Sequence, residues 1–164
     1  PLPCKVKFLI PNSLDHLLLF FNPRPDTAKE ISILPSKLQN RVNHIVSENN
    51  RVIKMKEAIS KQSIKEMGDL LIKSHESLRD DYEVSCSEID TMINFSKSLE
   101  GWIGGRIMGG GFGGTTINLI KSGYEDSFID KLSKFYKKQI GLDCDVVNLS
   151  FVDGAETIYI NSLN

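Results

Sequence analysis

A chain of 164 residues, 40% hydrophobic and 25% charged, has the balance of one soluble globular domain with enough volume for a core. Its 20 basic and 21 acidic side chains leave a formal net charge of −1, so no one-sign field draws it to nucleic acid or to an anionic membrane. Cys4, Cys86 and Cys144 are too few and too scattered for a disulfide scaffold, and the most apolar run, Leu17 to Phe21, is far too short to cross a bilayer.

No basic-then-apolar order marks a signal peptide, so the expectation is a cytoplasmic protein with no membrane or nucleic-acid partner. Pro1 in place of a methionine points to a processed, truncated or excerpted chain.

Val6, Phe8 and Ile10 alternate with Lys5 and Lys7, which predicts a strand over 4–10. Pro11, Pro23, Pro25 and Pro35 interrupt the chain beyond it, so residues 1–35 read as a divergent segment of one strand plus irregular chain. Ser36 with Gln39 forms a capping-box pattern, and Leu38, Val42, Ile45, Val52 and Ile59 then recur at helical spacing. Ser63 with Glu66 starts a second helix, whose stripe is Ile64, Met67, Leu71 and Leu78. Ser85 with Glu88 starts a third, carrying Ile89, Met92, Ile93 and Leu99, and Gly101 is placed to end it.

The period then changes. Trp102 to Met108 reads as a strand weakened by Gly104 and Gly105, and Thr115 to Lys121 is a second β-rich run. Gly123 introduces a fourth helix with Phe128, Ile129, Leu132, Phe135 and Tyr136 on one face, closed by Gly141. Val146 to Val152 reads as a strand, Asp153-Gly154 as a turn and Thr157 to Ile160 as a short last strand. Helices first and strands second predict an α+β domain over 36–164, its helices packed on an antiparallel sheet.

Between the two strands lies Gly109-Gly110-Gly111-Phe112-Gly113-Gly114. Such a loop reaches positive φ freely, and its successive N–H groups can line an anion site suited to phosphate. It lacks the Lys-Ser/Thr of a P-loop, and the strand–loop–strand setting excludes a dinucleotide fingerprint. Neither the catalytic-loop nor the metal-binding triplet of protein kinases occurs in the chain. On these grounds phosphate proximity and a purely structural turn stand level.

Two long segments resemble galactokinases. One runs Ser74-His75-Glu76-Ser77-Leu78-Arg79-Asp80-Asp81-Tyr82-Glu83-Val84-Ser85-Cys86, continuing to Asp90; the other, resembling that family's third motif, runs Gly104-Gly105-Arg106-Ile107-Met108 through the glycine cluster to Thr116. Upstream, Arg41-Val42-Asn43-His44-Ile45-Val46-Ser47-Glu48-Asn49-Asn50-Arg51-Val52 is similar to a helix of the same family, in the same order. The resemblance spans about Leu34 to Ile158; Ile107, Met108, Thr115 and Ser87 depart from the usual residues.

It implies the C-terminal lobe of a GHMP-superfamily kinase that uses ATP and Mg to phosphorylate galactose. In that family the glycine loop lies at the cleft between two lobes and supports a phosphate-binding loop of the N-terminal lobe. The family's first two motifs, its proposed base and its metal-binding residues belong to that other lobe and have no counterpart here. Phosphoryl transfer is positioning and charge stabilisation by such groups, so no catalytic residue and no metal ligand is expected in this chain, which by itself should be inactive. The implied partners are galactose, ATP and the missing lobe. A non-catalytic GHMP-like binding or regulatory module and a related sugar 1-kinase are the alternatives.

The expected site is therefore Gly109, Gly110, Gly111, Phe112, Gly113 and Gly114, with Arg106 either fixing the loop or reaching a phosphate. Phe112 most simply anchors the loop by burying its ring. Asp80 and Asp81 suit structural capping or pairing better than a metal site, and Arg79 suits an intramolecular ion pair. His44 and His75 read as buried, hydrogen-bonded histidines and Asn49 as a buried amide needing partners. Lys131, Lys134 and Lys138 read as a solvated face, and the cysteines as small buried hydrophobes.

Overall fold

The structure, a computed structural model, describes the backbone of residues 4–6 and all of residues 32–147. Its elements in chain order are β1 (Cys4–Val6), α1 (Ser36–Ser60), α2 (Ile64–Asp80), α3 (Ser87–Ser96), β2 (Trp102–Met108), β3 (Thr115–Ile120), α4 (Glu125–Ile140) and β4 (Cys144–Val146). The rest of the first predicted strand, most of the strand over 146–152, the turn at 153–154 and the strand over 157–160 lie outside the described residues.

The helix starts fall within two residues of their sequence signals, but the serines make no side-chain caps. Pro35 occupies the first N-cap, and its carbonyl accepts the amides of Leu38 and Gln39 at 2.8 and 3.0 Å. Gln39 instead turns its own amide back to Leu34 O at 2.7 Å. Ser85 lies one residue before the Cys86 cap and spends its hydroxyl on Asp90 Oδ1 at 2.6 Å. Gly141 closes α4 in the left-handed conformation, φ +80°, as the sequence predicts.

The sheet order is β2-β3-β1-β4. β2 and β3 form an antiparallel hairpin whose register runs to Met108 opposite Thr115, with a bulge between Trp102 and Gly104. β1 enters parallel to β3 and to β4, so the N-terminal segment lends the sheet a strand.

Helices cover both faces of the hairpin. Ile107, Trp102 and Ile120 meet α3 and α4 in a core of Ile89, Met92, Ile93, Phe128, Leu132 and Tyr136. On the other face Leu119 joins Ala58, Met67 and Leu70 of α1 and α2. There α2 lies on β2 backbone to backbone: a Cβ on Gly104 would stand 2.5 Å from Gly68 Cα, and one on Gly68 would stand 2.6 Å from Ile103 Cγ2. That close approach explains the two glycines, one of which made the strand look weak in sequence.

α1 buries only part of the stripe its periodicity suggests: Val42, Val52 and Ile59 are half-buried, Ile59 against the second core. Leu38 and Ile45 are exposed, while the inward side carries His44, Glu48, Arg51, Met55 and Ala58. The α1–α2 contact is thus partly polar, and the site grows from it.

Candidate functional site

The hairpin delivers residues 109–114 as a tight loop. Gly109, Gly111, Gly113 and Gly114 all have positive φ, between +87° and +119°, and Phe112 joins them at +57°. Four glycines, Gly109, Gly110, Gly113 and Gly114, have no described atom within 4 Å of where a Cβ would stand. The loop therefore presents bare backbone on that side. Gly111 is different: its missing Cβ makes room for Val84, whose own Cβ lies 2.6 Å from the place it would take.

Phe112 corrects the sequence reading. The residue is 76% exposed, so its ring is no buried anchor; its backbone N–H is the anchor, donating to Val84 O at 2.6 Å. A side chain between glycines follows the backbone's left-handed path outward, so the loop is tied from the main chain.

Val84 belongs to the connection between α2 and α3, the Asp80–Cys86 stretch of the resemblance. Its shape comes from Glu83, a non-glycine residue at φ +56°, and from bonds of Tyr82 N to Ser77 O (2.9 Å) and Val84 N to Leu78 O (3.0 Å). Arg41 of α1 donates to Asp81 O at 2.8 Å and to the Glu83 carboxylate at 2.5 Å, with Lys37 a further 3.6 Å partner of Glu83. The Arg41 guanidinium also lies 5.5 Å from the Tyr82 ring centroid, and Tyr82 stacks on His44 at 4.7 Å. Ser77 gives its proton to Asp81 Oδ2 at 2.7 Å, so His44 Nδ1–H donates to the Ser77 oxygen at 3.0 Å.

Arg106, on β2 just before the loop, turns to α1 and α2. Its Nη1 donates to Glu48 Oε1 and to Ser74 Oγ, both at 2.7 Å, and Ser74 donates to the same carboxylate oxygen at 2.7 Å. Arg51 completes the group, giving Nε to Glu48 Oε2 at 2.7 Å and Nη2 to Ser47 at 2.9 Å. Burial pushes the Glu48 carboxyl up, but the hydrogen bonds of Ser74 and Arg51 and the charge of Arg106 outweigh it and hold it below the usual carboxylate range. The described contacts of Arg106 are thus with α1 and α2.

The remaining candidates take structural places. Arg79 pairs with its neighbour Asp80 at 2.7 and 2.8 Å, holding that carboxyl below its ordinary value. His75 is buried at 1% exposure; Ile107 N–H donates to its Nδ1 at 3.4 Å, which places the ring proton on Nε2, 3.3 Å from Asp90 Oδ1. Burial pushes both His44 and His75 down, keeping them neutral. Asn49 is only half-buried, and Lys131, Lys134 and Lys138 are exposed. Cys86 and Cys144 are half-buried against the larger core, and burial raises the Cys86 thiol.

Glu48, Ser74, Arg41 and Val84 went unread in the sequence because they act in three dimensions. The available signal was the spacing of His44, Glu48, Arg51, Met55 and Ala58, a helical face as regular as the apolar one but of mixed polarity. Among the described residues no group of three His, Cys, Asp or Glu is placed to hold a metal ion, and no helix is long and apolar enough to cross a membrane.

Comparison with known proteins agrees on one relationship. The family described as GHMP kinases C terminal matches residues 55–138. The galactokinase of Thermotoga petrophila is 38% identical over 135 residues, 82% of this chain but 39% of that protein. The galactokinase of Bacillus subtilis is 39% identical over 120 residues, 73% of this chain and 31% of that protein. A crystal structure of Lactococcus lactis galactokinase complexed with galactose aligns with a TM-score of 0.66 at 29% identity, covering 79% of this chain and 36% of that one. The chain thus spans well under half the length of the relatives it matches.

Proposed function

The chain belongs to the GHMP kinase family as a C-terminal domain of galactokinase type, and from that premise we propose that the complete protein transfers a phosphoryl group from ATP to the anomeric hydroxyl of galactose. Residues 36–164 form the C-terminal domain in this reading, with residues 1–35 lending it β1. The protein works in the cytoplasm, and this chain alone is inactive. The observation that carries the reading is the loop of Gly109, Gly110, Gly111, Phe112, Gly113 and Gly114, tied on one side to Val84 and bare on the other.

Each feature has a role in phosphoryl transfer, where positioning and charge stabilisation outweigh covalent chemistry. The loop's backbone stands near the nucleotide phosphates, or behind the loop that cradles them, at the cleft that the rest of the protein completes. Glycines allow that approach without Cβ clashes. Arg106 shares the Glu48 carboxylate with Arg51 and is held by it and by Ser74, so it supports the strand that leads into the loop. The exposed Phe112 ring suits a surface that another part of the protein covers. Bound Mg would neutralise charge on the transferring phosphoryl group, its ligands coming mainly from the other lobe.

The test is galactose-dependent ADP release with Mg-ATP by the complete protein, by this chain, and by this chain mixed with the N-terminal lobe of a related galactokinase. The reading expects activity from the complete protein or the mixture and none from the chain. Activity of the chain alone would overturn it, because sugar and phosphate groups would then have to reside within these 164 residues.

A further inference from the structure

The connection from α2 to α3 holds a conformation that its own residues do not favour. Glu83 sits at φ +56°, where a side chain with a Cβ stays only under constraint from its surroundings. The constraint comes from α1: Arg41 reaches across to the Asp81 carbonyl at 2.8 Å and to the Glu83 carboxylate at 2.5 Å, bracketing the turn at both ends. Its guanidinium lies by Tyr82, the residue between them, whose ring is held in turn by His44. Next in the chain is Val84, whose carbonyl holds the glycine loop through Phe112 N–H at 2.6 Å and whose side chain fills the space Gly111 leaves free.

A continuous path of contacts therefore runs from Arg41 through the 81–84 turn to the middle of the glycine loop. Arg41 makes no described hydrogen bond or ion pair to the loop, and its partner Glu83 is 52% exposed, so solvent screens the ion pair and leaves it little weight in stability. A planar fork that binds a carbonyl and a carboxylate together is a geometric clamp, and lysine cannot reproduce it.

We infer that Arg41 is a positioning residue for the glycine loop: by clamping the 81–84 turn it sets the place of Val84 O, and so the place of the Gly109–Gly114 backbone. Its effect on nucleotide use rests on the functional reading above. Its effect on the loop does not.

The experiment uses the complete protein with Arg41→Ala and Arg41→Lys. Amide hydrogen exchange is followed in peptides covering 108–115, with β3 and α4 as internal references. In Arg41→Ala the loop exchanges about tenfold faster, as expected when a charge-assisted clamp is lost, while the references change less than about twofold. Arg41→Lys keeps the Glu83 ion pair but loses the Asp81 contact, and gives a loop exchange rate between wild type and alanine. This variant carries the test should the alanine protein fail to fold.

In steady state the KM for Mg-ATP rises about fivefold with the KM for galactose within about twofold, the split that displacement of a phosphate-side element produces. Unchanged loop exchange in both variants would overturn the inference. So would acceleration spread equally over β3 and α4, which would make Arg41 a general structural residue. If the wild-type protein transfers no phosphoryl group to galactose, the functional reading falls alone, and the exchange data still decide whether Arg41 positions the loop.

Discussion

Gly68→Ala sets two physical effects against each other at one atom. In an ordinary helix the change would stabilise by about 1 kcal/mol, since glycine gives up more backbone freedom on folding than alanine. Gly68 lies in α2 with no φ in the left-handed region, so nothing in its own backbone opposes the substitution. The opposition comes from β2: the added Cβ would stand 2.6 Å from Ile103 Cγ2 and 2.8 Å from Ile103 C. Carbon atoms at rest sit about 3.5–4.0 Å apart, so α2 has to withdraw from the strand by nearly 1 Å. The Ile103 side chain can rotate, but its carbonyl carbon is fixed in the hairpin.

Overpacking of this kind costs about 1–3 kcal/mol, and retreat of α2 also stretches the 2.7 Å bonds among Arg106, Glu48 and Ser74. Less the helix-propensity gain, the net loss is about 0–2 kcal/mol, which lowers Tm by up to roughly 8 °C for a protein of this size or somewhat larger. Urea and thermal denaturation of Gly68→Ala, Gly104→Ala and the double variant measure it. The double variant should lose less than the sum of the single ones, because after the first retreat the second methyl enters a gap already opened. A higher Tm for Gly68→Ala would refute the reasoning, showing that propensity wins and that the backbone contact is not tight.

Gly141→Ala tests backbone conformation without packing, since no described atom lies within 4 Å of the added methyl; at φ +80° it should cost about 1–2 kcal/mol in urea denaturation, with Gly141→Asn costing less. Arg106→Met should cost about 1–2 kcal/mol, discounted for partial exposure, and raise the pH at which acid destabilises the protein, because Glu48 loses part of what holds its carboxyl low. His44 and His75 are both pushed below the ordinary 6.5, so the unfolded chain takes up protons first. Their contribution is complete above about pH 6.5 and is lost as pH falls through the lower folded values, with a slope of up to about 1.4 kcal/mol per pH unit for each histidine. Urea midpoints between pH 7.5 and 5 should fall, and His75→Gln should make the fall shallower; a steeper slope in that variant would contradict a buried neutral imidazole.

The order and limits of the elements were legible because local chemistry writes them. Pro35, the serine and glutamate start signals and Gly141 mark boundaries through backbone rules that act within a few residues, whereas α3 ends at Ser96, five residues before the Gly101 expected to close it; Gly109–Gly114 announces a loop with positive φ because few other sequences tolerate one. The resemblance carried by residues 74–90 and 104–116 was likewise a property of the string. The caps illustrate the limit: Ser36 and Ser85 mark helix starts while their hydroxyl groups make no cap bond, because Pro35 and Cys86 hold the cap positions.

Only the tertiary structure decided which faces meet. α1 carries two regular stripes, and apolar periodicity selects the one bearing Leu38 and Ile45, yet the fold turns His44, Glu48 and Arg51 inward because Ser74, Ser77 and Arg106 wait there to satisfy them. Gly68 and Gly104 look like defects in a helix and a strand until the backbones are seen to touch. Phe112 looks like an anchor until its ring is found in solvent and its amide on Val84. In each case a residue's role depends on a partner far away along the chain, 58 positions for Arg106 and Glu48, or on the path the backbone takes around it, and periodicity along a single segment holds no information about that partner.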